Sequence, residues 1–178
     1  AVEIARVDQY MTPIAGTEEI IECDGLILSV GLIPENELAE TLGVVIDPRT
    51  KGPVCDQDFM TSVPGIYSCG NALHVNDLVD YVSESGELAG KAAANNTYEP
   101  KEMVTFDVSK DLLYFLPQQI NIKNSAEKVT YYFRSSQVLK NATVTIKANG
   151  NEIFTKKYKN LKPPEMETFK LDMSKFDL

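Results

Sequence analysis

The residues best suited to chemistry lie in one stretch, Thr61-Ser-Val-Pro-Gly-Ile-Tyr-Ser-Cys-Gly-Asn-Ala72. Val63-Pro64-Gly65 is a turn signal, Ile66 to Cys69 is a short strand-like run, and Gly70-Asn71 lets the backbone turn tightly with no Cβ in the way. A ligand can approach main-chain atoms closely at such a turn. Asn71 brings an uncharged carbonyl acceptor and an amide donor. His74 follows in the next loop and is the chain's single histidine. An imidazole there could pass a proton, but no carboxylate is fixed beside it by spacing, and a lone loop histidine more often makes a backbone hydrogen bond or lies exposed. Cys69 adjoins the turn as a thiol or, at a buried strand end, as a small apolar filler.

The composition restricts the partners. The chain has 178 residues, 43% of them hydrophobic, and a net charge of −9. That length suits one or two domains with a real core. The acidic balance argues against a nucleic-acid partner, which would need a concentrated basic surface. Lys156, Lys157, Lys159 and Lys162 form a local basic run that reads as a solvated strand edge. No apolar run approaches the length of a membrane span. Cys23, Cys55 and Cys69 are widely spaced, with no Cys-x-x-Cys pair and no zinc spacing, so no metal site is expected and a reducing, cytoplasmic compartment is the simplest setting.

The Thr61–Ala72 stretch resembles the C-terminal flavin-binding turn of FAD-dependent pyridine nucleotide-disulfide oxidoreductases, the thioredoxin-reductase-like and NADH-oxidase-like flavoproteins. In that family the turn ends in Gly-Asp, and the aspartate accepts a hydrogen bond from a ribityl hydroxyl of FAD. Asn71 stands in its place here. A second segment, Cys23-Asp-Gly-Leu-Ile-Leu-Ser-Val-Gly-Leu-Ile-Pro34, looks like the family's strand ending in a glycine, Gly31, where the chain returns from the NAD(P)H domain to the FAD domain. The resemblance covers residues 1 to 99. It implies a Rossmann-like α/β portion with Gly31, Gly70, Asn71 and Ala72 at the cofactor. It also implies a following helix whose N-terminus, at Asp80, Tyr81 and Val82, faces the flavin ring, where the helix dipole favours negative charge. His74 is its candidate proton donor. The two Gly-x-Gly-x-x-Gly fingerprints for the FAD pyrophosphate and for NAD(P)H do not occur in these residues.

The elements that must position the turn follow from pattern. Val2 to Asp8 and Glu18 to Cys23 alternate as exposed-face strands, and the apolar run Leu26 to Val30 reads as a buried one. Glu37 to Leu42, acidic at its start and closed by Gly43, is a short helix. Val44 to Ile46 reads as a strand, and Asp47 to Pro53 as a hairpin connection. Ala72 to Asp77 is expected to be loop. A helix follows from about Asp77 to Asn95, burying Val79, Val82, Leu88, Ala89, Ala92 and Ala93.

Near Tyr98-Glu99-Pro100-Lys101 the composition turns β-branched and aromatic, which sets a domain boundary, 1–99 and 100–178. Strands are expected at 104–108, 119–122, 129–134, 142–148, 152–158 and 167–172, with Asn149-Gly150 as a type I′ hairpin turn. The resemblance implies an incomplete FAD/NAD(P)-binding, Rossmann-like α/β portion over 1–99, and the strand pattern adds an all-β, immunoglobulin-like sandwich. Tyr131 and Phe133 share one strand face and Tyr132 takes the other, so one of these faces must be core.

Two functions remain open from the sequence. The chain is the C-terminal part of an FAD-dependent NAD(P)H oxidoreductase whose N-terminal domains complete the sites for both cofactors, in which case it holds no stable FAD by itself. Alternatively it is a binding module in which the β-sandwich drives homo-oligomerisation.

Overall fold

The computed structural model describes residues 1–96, 99–124 and 128–176. Tyr98, where the compositional boundary begins, lies outside them. Contacts divide the chain into two compact units, Ala1–Gly31 and Leu32–Leu178.

In the first unit, β1 (Val2–Ile4) pairs antiparallel with β2 (Glu19–Ile21), Val2 opposite Ile21. Asp8 shapes the intervening turn, because its Oδ1 accepts from the Tyr10 and Thr12 amides at 2.8 and 3.0 Å. The run Leu26–Val30 departs from expectation, since it forms no strand and Ile27 and Val30 are 96% and 85% exposed. A continuous apolar run suits a strand flanked by other strands and covered on both faces. Among the described residues no strand pairs with it.

In the second unit, α1 (Glu37–Thr41) carries Glu37 and Glu40 in its first turn and ends at Gly43, whose φ of 77° a side chain would resist. Val44–Ile46 is not a strand. Only the isolated bridge Ile46–Pro53 forms there, closing the expected 47–53 turn through Asp47 N to Gly52 O at 2.8 Å. The family-like stretch is likewise held by bridges, Cys55–Thr61 and Met60–Tyr67, and by backbone bonds such as Thr61 N to Ile66 O at 2.8 Å. It leads into α2 (Gly70–Leu73), a single turn where sequence pattern put only loop from Ala72. Helix α3 (Val79–Ala94) buries Ser85 and Ala89, with Tyr81, Val82 and Ala92 half-buried along the same stripe. Val79, Leu88 and Ala93 face outward instead, because the buried stripe is narrower than the apolar residues suggest.

The remaining strands are β3 (Met103–Thr105), β4 (Leu112–Leu116), β5 (Gln119–Asn121), β6 (Val129–Ser135), β7 (Leu139–Ala148), β8 (Asn151–Leu161) and β9 (Glu167–Leu171). They form small antiparallel sheets, β3-β5, β4-β6-β9 and β7-β8. Asn149 and Gly150 have φ of 51° and 82°, as a type I′ hairpin requires.

The β4-β6-β9 sheet is buried on both faces. Phe115, Tyr131, Phe133 and Phe169 pack with Ile146, Tyr158 and Leu161 of the β7-β8 hairpin. Tyr131 stacks on Phe115 and Phe169, with ring centroids 5.2 Å from each. The opposite face, with Tyr114, Leu116 and Tyr132, packs with Cys55, Phe59, Leu73 and Ala89. Residues on the two sides of the compositional boundary thus share a core.

Two glycines give opposite expectations. A Cβ on Gly52 would lie 1.8 Å from the Leu73 carbonyl oxygen, so Gly52→Ala must push the α2 backbone away. We expect it to cost about 2–3 kcal/mol or more in urea unfolding. Gly86, in α3 with nothing within 4 Å of its Cβ position, should gain about 0.5–1 kcal/mol on replacement by Ala. An unchanged unfolding midpoint for Gly52→Ala would contradict the close approach.

Candidate functional site

The turn at Gly70 depends on a residue without a side chain. Its φ is +59°, and a Cβ would sit 3.1 Å from Val82 Cγ1. The Gly70 amide donates to Ser85 Oγ at 2.8 Å, and that hydroxyl donates to the Val82 carbonyl at 2.8 Å, tying α2 to the second turn of α3. From the other side, Asn36 Nδ2 donates to the carbonyls of Ala72 and Lys51 at 2.9 and 3.0 Å. Gly70, Ala72 and Val82 are therefore fixed through the backbone.

Asn71 is half-buried, and its Oδ1 accepts from the Asn76 backbone amide at 3.0 Å and from Asn76 Nδ2 at 3.4 Å. Asn76 Nδ2 also donates to the His74 carbonyl at 2.9 Å, while Asn76 Oδ1 is buried with no donor among the described residues. The helix α3 begins after Leu78 with no side-chain cap, and Leu78, Val79 and Asp80 are exposed. No side-chain cap meets the Val79 and Asp80 amides, the Tyr81 amide donates to the Leu78 carbonyl at 3.2 Å, and Asp80 is the acidic group in the first turn. Tyr81 turns inward, its ring edge-on to Tyr132 at 6.3 Å. Gly31, with φ of 103°, closes the first unit.

His74 is 2% exposed. Its Nδ1 lies 3.2 Å from the Tyr114 hydroxyl, and its ring packs against Tyr132 at 5.2 Å. Burial first, and the Arg134 charge second, hold its pKa down at about 4 against an opposing pull from Asp77. The imidazole is therefore neutral at pH 7, and its Nδ1 faces Tyr114. Cys69 is an exposed free thiol, whereas Cys55 is buried and burial pushes its thiol up.

Sequence pattern did not single out the groups that pin this loop from outside. Arg134 Nη2 donates to the Val75 carbonyl at 3.2 Å and to Asp77 Oδ1 at 2.5 Å, and Nη1 donates to the Pro164 carbonyl. The second Asp77 oxygen accepts from the Met166 amide at 2.7 Å. Burial works against the Arg134 charge, yet the Asp77 carboxylate and the Tyr114 hydroxyl more than offset it and raise its pKa. Period-two alternation does put Arg134 on the Tyr132 face of β6, and that was the one available signal. Its partners lie 57 or more positions away for Val75 and Asp77, beyond any local pattern.

The buried histidine sets a pH expectation. Below its ordinary value of 6.5 the unfolded chain takes up a proton that folded His74 refuses until about pH 4. Its contribution is complete above pH 6.5 and falls away between 6.5 and about 4, by on the order of 3 kcal/mol. The stability advantage of wild type over His74→Gln should accordingly shrink across that window in urea titrations. An advantage that stays constant with pH would contradict a neutral, buried imidazole.

Comparison with known proteins bears on the same residues. The family model described as pyridine nucleotide-disulphide oxidoreductase matches residues 1–95, more than half of the chain. The thioredoxin reductase of Listeria monocytogenes is 29% identical over 104 residues, covering 57% of this chain and 32% of that protein. The dihydrolipoyl dehydrogenase of Manduca sexta is 33% identical over 73 residues, covering 40% of this chain and 14% of that protein. The nitric oxide reductase FlRd-NAD(+) reductase of Salmonella paratyphi A is 28% identical over 94 residues, 53% of this chain and 24% of that protein. The chain thus spans about a third or less of the length of these relatives. No solved structure matches. With the family's match running unbroken through the Gly70 turn and the whole of α3, the chain belongs to the pyridine nucleotide-disulphide oxidoreductase family.

Proposed function

We propose that this chain is the C-terminal part of an FAD-dependent NAD(P)H oxidoreductase, acting in the cytoplasm together with N-terminal FAD and NAD(P)H domains. Gly70, Asn71 and Ala72 line the ribityl chain, Asp80, Tyr81 and Val82 lie at the flavin ring, and Gly31 ends the Leu26–Val30 run that returns to the FAD domain. Residues 100–178 act as an immunoglobulin-like sandwich that shares a core with the family segment.

The observation that carries the reading is the Gly70–Asn71 turn followed, after the short loop 74–78, by an exposed α3 N-terminus without a side-chain cap. The donor set suits a polyol and an electron-rich ring. Asn76 Oδ1, buried beside Asn71 with no donor among the described residues, can accept from a hydroxyl, and the first turn of α3, without a side-chain cap, favours negative charge. The flavin, when bound, would supply the hydride and electron chemistry. These residues would orient it and hold its reduced form. With its ring buried against Tyr114, His74 supports the loop from behind under this reading. The exposed Leu26–Val30 run adds support for further domains, since it matches a strand covered on both faces.

The test is the colour of the longer polypeptide carrying both glycine fingerprints. We expect a yellow protein bleached anaerobically by NADH or NADPH, and no stable FAD on the 178-residue chain alone. A colourless long form that cannot be reconstituted with FAD would end the proposal.

A further inference from the structure

We infer that Arg134 and Tyr114, both from the β-rich region, are positioning residues for the flavin loop, an inference that rests on the flavin reading above. The loop between α2 and α3 is tethered at His74, Val75 and Asp77 by this region. Tyr114 on β4 meets His74, Arg134 on β6 holds the Val75 carbonyl and Asp77, and the Met166 amide before β9 holds the other Asp77 oxygen. Asn71 and Asn76 pair with each other, and Asn76 Nδ2 also donates to the His74 carbonyl. The Asn76 amide donates to Asn71 Oδ1, so the direction of that acceptor is set by where residues 75 and 77 are held.

The coupling is directional and short. Arg134 fixes Val75 and Asp77, they fix the Asn76 amide between them, and that amide orients Asn71 Oδ1 at the ribityl position. The guanidinium is suited to the task because its planar fork reaches two loop acceptors and the Pro164 carbonyl at once. The Arg134 side chain is only 11% exposed, so water is a poor substitute for its partners. The β-rich region therefore belongs to the cofactor site through its effect on loop geometry, with no atom of its own required at the flavin.

The experiment compares Arg134→Gln, Arg134→Lys and Asp77→Asn in the FAD-loaded long polypeptide, reading the visible flavin spectrum, the FAD dissociation constant and hydrogen exchange at Asn76. Asp77→Asn keeps an acceptor for the Met166 amide and serves if Arg134→Gln does not fold. We expect exchange at Asn76 to accelerate, and FAD binding to weaken, each by about tenfold or more, with a shifted flavin band and unchanged exchange at Tyr131 and Phe133. Arg134→Lys, which keeps the charge and loses the fork, should recover part of both effects. A yellow wild type whose variants match it in exchange, spectrum and FAD affinity would overturn the positioning role alone. A wild type that never holds FAD would overturn the flavin reading and this inference with it.

Discussion

The second unit depends on a three-stranded sheet with two buried faces. In β6 the residues Tyr131 and Phe133 point to the β7-β8 hairpin while Tyr132 points to Leu73 and the α2–α3 region, and all three are almost completely buried. A sheet covered on one side only would leave Tyr114, Leu116 and Tyr132 in water, at about 1.5–3 kcal/mol for each large apolar side chain. The family-like segment supplies the missing cover. Its loop geometry follows from that requirement, because Leu73 and His74 must reach the sheet.

Polar pairing along the same seam makes the packing specific. Gln118 gives Nε2 to Asp47 at 2.9 Å and takes the Cys55 amide at 3.1 Å on Oε1, while Gln57 and Asn121 exchange two bonds of 2.8 and 3.2 Å. Asp56, 2% exposed, meets Lys101 and caps the Asp58 and Met60 amides. A buried carboxylate without these partners would be strongly destabilising, so they select one alignment of the two halves. At the loop, Arg134 and Asp77 repeat the same device. A region whose composition suggests an independent appendage is joined to the family segment by its least replaceable contacts.

Much of the local structure was legible from pattern. The Asn149-Gly150 hairpin, the strands flanking it, α1 with its Gly43 stop and α3 all follow from periodicity and turn chemistry. Strand β4 did not, because Leu112-Leu-Tyr-Phe-Leu116 is an unbroken apolar run without a period. Leu26–Val30 misled for the related reason that an apolar run describes the neighbours a strand needs, which no described strand provides. The tight Gly70 turn could be read from residue types, and its φ of +59° bears out the need for glycine. The roles of Tyr114, Arg134 and Asp77 could not, since each is defined by a partner far along the chain.

The account makes the Gly70 turn, α3 and the β4-β6-β9 sheet one cooperative body, and native-state hydrogen exchange tests that most directly. The Gly70 amide, bonded to Ser85, and the Tyr131 and Phe133 amides of β6 serve as probes. The account predicts that all three exchange only through the same global opening, with equal free energies and equal dependence on denaturant. A Gly70 amide that opens at clearly lower free energy while β6 stays protected would contradict it.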